Sequence, residues 1–221
     1  MDVFDILVRY YPAFLKGLIV SMQLAGIIWA VGIVFGSLVG ILSNRFRLVV
    51  GIPARTMSFL LSGVPVLVFL FWLHYPAQAV LNIVVDPFIT AAATLCIVNV
   101  FAVSDLIRAV LDDFPRQYIT AAKVTGLSKL QTVWRIQIPL IFRQVLPGLL
   151  MIQVSMLHMT LFASLISVEE IFRVAQRINA QIYKPVEIYT ALGIFFLAVC
   201  LPVNGFALWL KHKFTRNLSE N

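Results

Sequence analysis

The segment AAKVTGLSKLQTVWRIQIP, residues 121–139, decides how the rest of the chain is read. It carries lysine, arginine, Gln and Ser, with Gly126 near its start and Pro139 at its end, and it lies between long apolar runs. Those runs dominate the composition. Of 221 residues, 61% are hydrophobic and only 12% are charged, and the mean hydropathy is +0.94. A soluble domain carries about 25% charged residues. The chain is therefore an all-α integral membrane protein, and its length suits one domain over 1–221.

Stretches free of Asp, Glu, Lys and Arg cover 17–44, 56–85, 87–104, 144–168 and 188–210. A helix needs about 20 apolar residues to cross the hydrocarbon. Backbone groups find no water there, so each run is expected to be a helix. The expected spans are 17–44, 56–80, 87–108, 144–168 and 188–210, with Pro76 and Pro87 bracketing a turn and Pro185 preceding the fifth. With the N-terminus outside, twelve Lys and Arg fall in inner segments, among them Arg45, Arg108, Lys123, Lys211 and Arg216, and five fall outside. The positive-inside rule selects that orientation and a cytoplasmic C-terminus. The net charge of +7 then belongs to the cytoplasmic membrane surface and not to a nucleic-acid site. The opening MDVFDILVRYYPAFLK has acids where a cleavable signal would be basic. Gly32, Gly36 and Gly40 recur every four residues, a spacing that fits both a dimer face and intrachain packing. Cys96 and Cys200 lie in apolar runs and read as small hydrophobes. No inverted repeat is evident.

The hydrophilic loop, 112–139, is thus expected in the cytoplasm between the third and fourth spans. Pro115 suits the first turn of a helix, Asp112 and Asp113 its positive end, and Gly126 its stop. Ala121 and Ala122 leave a low surface where another protein could reach the backbone. Ser128 with Gln131 fits a capping box that opens a second helix, expected to lie along the membrane surface, with Pro139 and Pro147 bending the chain back into the fourth span.

The spacing of this loop resembles that of bacterial ABC importer permeases, whose pattern is Glu-Ala-Ala, three residues, Gly, nine residues, then Ile-x-Leu-Pro. Here Ala121-Ala122, Gly126 and Ile136-Gln137-Ile138-Pro139 match in register, with Thr120 at the Glu position and Ile138 at the Leu. Ser62-Gly63-Val64-Pro65-Val66-Leu67-Val68 is similar to the Arg-Gly-Thr-Pro-Leu-Leu-Val of the polar amino-acid branch, and Asp105-Leu106-Ile107-Arg108 to its Glu-x-x-Arg. His158-Met159-Thr160-Leu161-Phe162 stands where that branch has Lys-Asp-Thr-Ser-Leu, and Ile166 and Glu170 match the Ile and Glu that follow.

The resemblance implies a type I importer permease whose loop couples to a separate ATP-binding subunit dimer through Thr120, Ala121, Ala122, Gly126, Ile136 and Pro139. It implies a second permease, identical or homologous, and an external solute-binding protein received by 169–187. It places the chain in the bacterial inner membrane. No Gly-Lys dipeptide occurs, so no Walker-type phosphate loop is present and ATP belongs to the partner; no cofactor or metal is expected. Ser62, Pro65, His158 and Thr160 are the candidates for the substrate path. His158 is singled out because a polar group in hydrocarbon must face a cavity or a partner. Thr160 fits a helix–helix hydrogen bond equally well. Asp105 and Arg108, one turn apart, read as a local ion pair or a gating contact. Ser62 and His158-Met159 both remove charge relative to the branch, which fits a different substrate or a half-permease paired with a non-identical partner. An intramembrane hydrolase is excluded by the absence of a Gly-x-Ser-x-Gly elbow and of any acid placed to orient a histidine.

Overall fold

The computed structural model describes residues 2–219, with side chains as far as Phe214; Arg216, counted above among the inner cations, lies outside that side-chain range. Ten α-helices follow in order, and no strand occurs among the described residues. They are α1 (Val3–Arg45), α2 (Ile52–Gly63), α3 (Val66–His74), α4 (Pro76–Leu81), α5 (Pro87–Asp112), α6 (Arg116–Val124), α7 (Lys129–Thr132), α8 (Ile138–Met159), α9 (Ile171–Ile182) and α10 (Pro185–Ser219).

Among the described residues, four continuous helical stretches are long and apolar enough to cross a membrane: Val3–Arg45, Pro87–Asp112, Lys129–Ile166 and Pro185–Phe214. The second expected span is not one rod. Arg47–Gly63 and Val66–Leu81 meet at 98°. Pro65 has no N–H to continue α2, and its ring drives the preceding residue out of the helical region. Val64 accordingly adopts φ −107°, ψ 123°. Counted as one bent pass, the pair makes five.

The passes alternate in direction where they should. A Cβ on Gly32 would meet Asn99, one on Gly36 would meet Val103, and one on Gly40 would meet Ile107. The rising numbers on both sides show that α1 and α5 run parallel. Gly148 of α8 meets Leu106, and Gln153 bonds Asn99, so α8 runs antiparallel to α5. The glycine stripe on α1 is therefore an intrachain seam. Its close approach brings Leu24 and Ile28 into one apolar cluster with Leu70, Leu95, Met156 and Ile166.

The expected surface helix before the fourth span is also revised. Lys129–Ile166 is one helical stretch, in which a π-turn over Val133–Gln137 carries α7 into α8. Widening the turn there makes room ahead of Pro139, whose ring would otherwise press on the carbonyl four residues back. Pro139 opens α8, and Pro147 is accommodated inside it.

The seam is testable. A Cβ at Gly36 would lie 2.7 Å from the Val103 side chain and 2.8 Å from the Val100 carbonyl oxygen, which is backbone and cannot swing away. Gly36→Ala should lower stability by about 1–3 kcal/mol, the usual cost of overpacking. Gly26→Ala meets nothing within 4 Å and should be neutral or slightly stabilising. Thermal unfolding of the two variants in one detergent checks the difference.

Candidate coupling and transport site

At the end of α1 and α5, Asp112 gathers two arginines and an amide. Its carboxylate accepts from Arg47 at 3.2 Å, Arg55 at 3.3 Å and the Asn44 amide at 2.9 Å. Asp112 therefore closes the corner between α1, α2 and α5 and does not serve the helix that follows. Two turns back along α5, Asp105 pairs with Arg108 at 2.8 Å and accepts from the Ser58 hydroxyl of α2. The local ion pair is thus also a tie between α2 and α5.

Beyond that corner stands α6. Pro115 precedes its first turn, in extended conformation, instead of occupying it. The far end is closed by Gly126 at φ 74°. The Leu127 N–H donates to the Ala122 carbonyl at 3.0 Å and the Gly126 N–H to that of Lys123 at 3.1 Å, the crossed pair of a Schellman turn. Only Gly takes that left-handed backbone freely. The two alanines divide: Ala121 is exposed, Ala122 is 1% exposed. Thr120 is exposed, and its hydroxyl donates to the Arg116 carbonyl. Val124 is 82% exposed, an apolar side chain held in the open. The capping box then forms, with the Gln131 N–H donating to Ser128 Oγ at 3.3 Å and the Ser128 N–H to Gln131 Oε1 at 3.0 Å. Ile136 is half-buried in the π-turn and Pro139 exposed after it.

The four path candidates have separate commitments. Ser62 and Pro65 are exposed at the break between α2 and α3, and the Ser62 hydroxyl donates to the Phe59 carbonyl at 2.8 Å. The His158 ring lies 3.2 Å from Cys200 Sγ and tilts against Phe196 of α10. Thr160 is fully buried and donates to the Leu157 carbonyl at 2.7 Å, a bond within its own helical stretch and not between helices. Cys200 is buried and Cys96 partly so, both as free thiols.

Two buried amides escaped the sequence reading. Asn99 donates to the Ile28 carbonyl at 2.8 Å and to Gln153 Oε1 at 3.0 Å, and the Trp29 indole donates to the Gln153 carbonyl at 3.0 Å. Asn99 is 0% and Gln153 6% exposed. They pin α1, α5 and α8 together where the glycine seam brings the backbone of α1 within reach. The signal was available: each is an amide inside a charge-free run, the same argument that marked His158. Among the described residues no group of His, Cys, Asp or Glu could hold a metal.

This architecture has known relatives. Residues 32–216 match the model of the binding-protein-dependent transport system inner membrane component family. The chain belongs to that family. It is 29% identical to the octopine transport system permease protein OccM of Rhizobium radiobacter, over 85% of this chain and 80% of that protein. It is 26% identical to the histidine/lysine/arginine/ornithine transport system permease protein HisQ of Salmonella typhimurium, over 91% and 92%. Among solved structures, the crystal structure of an amino acid ABC transporter with histidines superposes at TM-score 0.83, 20% identical, covering 96% of this chain and 99% of that one. An inward-facing MetNI methionine ABC transporter superposes at TM-score 0.65 and 12% identity, over 96% and 97%. The chain is a multi-pass inner-membrane permease subunit of an ABC importer.

In this permease the end of the bundle opposite α6 is built around Glu170. It is the N-cap of α9, and its carboxyl accepts from the N–H groups of Phe172 at 3.0 Å and Arg173 at 2.8 Å. Ser21 of α1 donates to it at 3.4 Å and accepts from the Ile171 N–H at 3.1 Å. Gly17 lets α9 approach, since a Cβ there would lie 2.8 Å from Val174. The apolar stripe of α9, Ile171, Val174, Ala175 and Ile178, packs with Ile6 and Ile188. Arg173, Gln176 and Arg177 occupy other faces, with Arg177 paired to Glu169 at 2.7 Å.

Burial raises the Glu170 carboxyl to about 7, against the lowering effect of its amide and Ser21 donors and with a small push from Glu169. A carboxyl whose folded value is raised binds its proton more tightly in the native state, so its stabilisation is complete below about 4.5 and lost as pH rises through about 7. The full displacement is on the order of 3 kcal/mol. The melting midpoint of the wild type should therefore fall between pH 5 and pH 8, while Glu170→Gln, neutral throughout, flattens that slope. Equal slopes in melts of the two proteins would contradict the assignment.

Proposed function

We propose that this permease admits a polar amino acid, or a solute built on one, delivered by an external binding protein and driven by ATP hydrolysis in a separate ATP-binding subunit dimer. The relatives that carry the substrate class are named for octopine, for histidine, lysine, arginine and ornithine, and for glutamine. The observation that carries the coupling role is the exposed α6 helix with its Gly126 turn, standing beyond the basic Asp112 corner. In this reading the exposed Thr120, Ala121 and Gly126 surface meets the ATP-binding subunit. The buried Ala122 seats the helix, and Ile136 with Pro139 passes its position into α8.

The N-terminus lies outside and α6 in the cytoplasm, where twelve of the seventeen Lys and Arg then stand. The polar faces of α9 receive the binding protein. A second permease covers the break between α2 and α3. Irregular backbone at membrane depth is tolerated only where protein or a water-filled path meets it, and Gly63, Val64 and Pro65 are all exposed in the single chain. That makes the break, with Ser62, the best-supported stretch of the substrate path, and His158 a second. Ser62 and His158 bring no fixed charge, which supports pairing with a non-identical permease that supplies the charged contacts.

Replacing Gly126 by Val forces a β-branched side chain into left-handed backbone, at a strain on the order of 1–2 kcal/mol. That is enough to depopulate the native turn about tenfold. Membrane insertion and ATP hydrolysis by the assembled transporter should persist while substrate uptake into proteoliposomes falls about tenfold. Wild-type uptake by Gly126→Val would remove α6 from the coupling path.

A further inference from the structure

At the end of the bundle opposite α6, a cavity of about 430 Å³ opens between α1 and α9. That is many times the ~30 Å³ share of one water, so a ligand of several heavy atoms fits. Gly17 lies against Val174 there, and Val20 adds to the apolar part of the lining. Lys16, Glu169 and Arg177 bring the charges. Lys16 is the last charge before the apolar run 17–44, and Glu169 the first after 144–168. Two separate runs thus set the cavity at the depth where hydrocarbon gives way to water.

Its charges are not all matched. Arg177 Nη1 donates to Glu169 Oε2 at 2.7 Å, which holds the carboxylate in place and leaves Oε1 outside that bond. Lys16 lines the same cavity and has no hydrogen-bond or ion-pair partner among the described residues. An ammonium and a carboxylate therefore share one space without meeting. A ligand that carries both charges closes the gap, its anion taking the N–H donors of Lys16 and its ammonium giving its own to Glu169. A simple anion would meet the repulsion of Glu169, and a simple cation that of Lys16 and Arg177. We propose that the cavity binds a zwitterion, with its anion at Lys16, its ammonium at Glu169 and its remaining atoms on Val20 and Val174. A free α-amino acid and a phosphatidylethanolamine headgroup at the hydrocarbon edge both carry this pair of charges. The amino-acid source rests on the proposed substrate class; the lipid source does not, and neither depends on coupling to ATP.

The test uses the full transporter with its partner subunits, delipidated in detergent, without binding protein or nucleotide. Saturation-transfer difference NMR reads retention of L-glutamine, and native mass spectrometry reads that of phosphatidylethanolamine. Their ammonium-free counterparts, glutaramate and phosphatidylglycerol, serve as anion controls. At least one zwitterion should be preferred to its anion control, and the one preferred names the source. Lys16→Gln should weaken its retention by up to about fivefold, the worth of one partly exposed charge contact, and Lys16→Arg should restore most of the loss. Glu169→Gln should erase the preference over the anion control, a change that a merely structural role would not produce. Melts of these variants in ligand-free detergent should stay near the wild type, since the pair that is broken is half exposed. Equal retention of zwitterion and anion control by the wild type would overturn the proposal, as would a preference left intact in the Lys16→Gln/Glu169→Gln double variant. Variants that keep the ligand and lose only the stimulation of ATP hydrolysis by the binding protein would make the cavity a docking surface, and the proposal would fail. Loss of amino-acid uptake with zwitterion retention intact would count against the proposed function and not against this site.

Discussion

The close approach of α1 and α5 is the constraint on which the rest of the fold depends. In lipid, apolar side chains gain little from leaving the solvent for one another, so helices associate by van der Waals contact and by hydrogen bonds between them. Gly32, Gly36 and Gly40 remove the side chains that would hold the two backbones apart. At that distance the Asn99 amide reaches the Ile28 carbonyl, and Gln153, bonded by Asn99 and by the Trp29 indole, brings α8 into the same set. The parallel course of α1 and α5 also places their ends side by side, which lets one carboxylate, Asp112, collect Asn44, Arg47 and Arg55. Seam, amide cluster and basic corner are successive consequences of three missing side chains.

The end of the bundle opposite α6 is organised differently. There a carboxyl is buried as a helix cap in place of an apolar contact. Glu170 takes two backbone donors and a hydroxyl from a helix 149 residues away in sequence, so the orientation of α9 is fixed by directional bonds. Arg173, Gln176 and Arg177 then lie on the other faces of a helix whose seat is rigid. α6 is held by its own turns, with Ala122 buried and Val124 in the open. One end of the permease is locked to the bundle and the other stands off it.

Much of this was legible in the residues, for identifiable reasons. Apolar runs of about 20 residues report a span through composition alone, and Gly126 reports a helix end because Gly takes the left-handed region without the steric penalty that other residues pay there. The break between α2 and α3 was missed because hydropathy averages over side chains and ignores the N–H that Pro65 lacks. The Gly63-Val64-Pro65 string contained the information. Asn99 and Gln153 do not interrupt a charge-free run, although the cost of an unpaired amide in hydrocarbon is of the same kind as that of a charge. The glycine spacing left two readings open, since a helix face cannot say from sequence which neighbour covers it. The burial of Glu170 was beyond reach: it depends on Ser21 and Gly17, which only the folded chain brings near.

The uninterrupted course of Lys129–Ile166 has a mechanical consequence. Helical throughout, it is a lever roughly 57 Å long at 1.5 Å per residue. Pivoted at its Lys129 tip, a tilt of about 5° sweeps the Ile166 tip through about 5 Å, roughly one helical turn. A displacement of that size, delivered beside Glu170, is large compared with the length of the hydrogen bonds that seat α9 there.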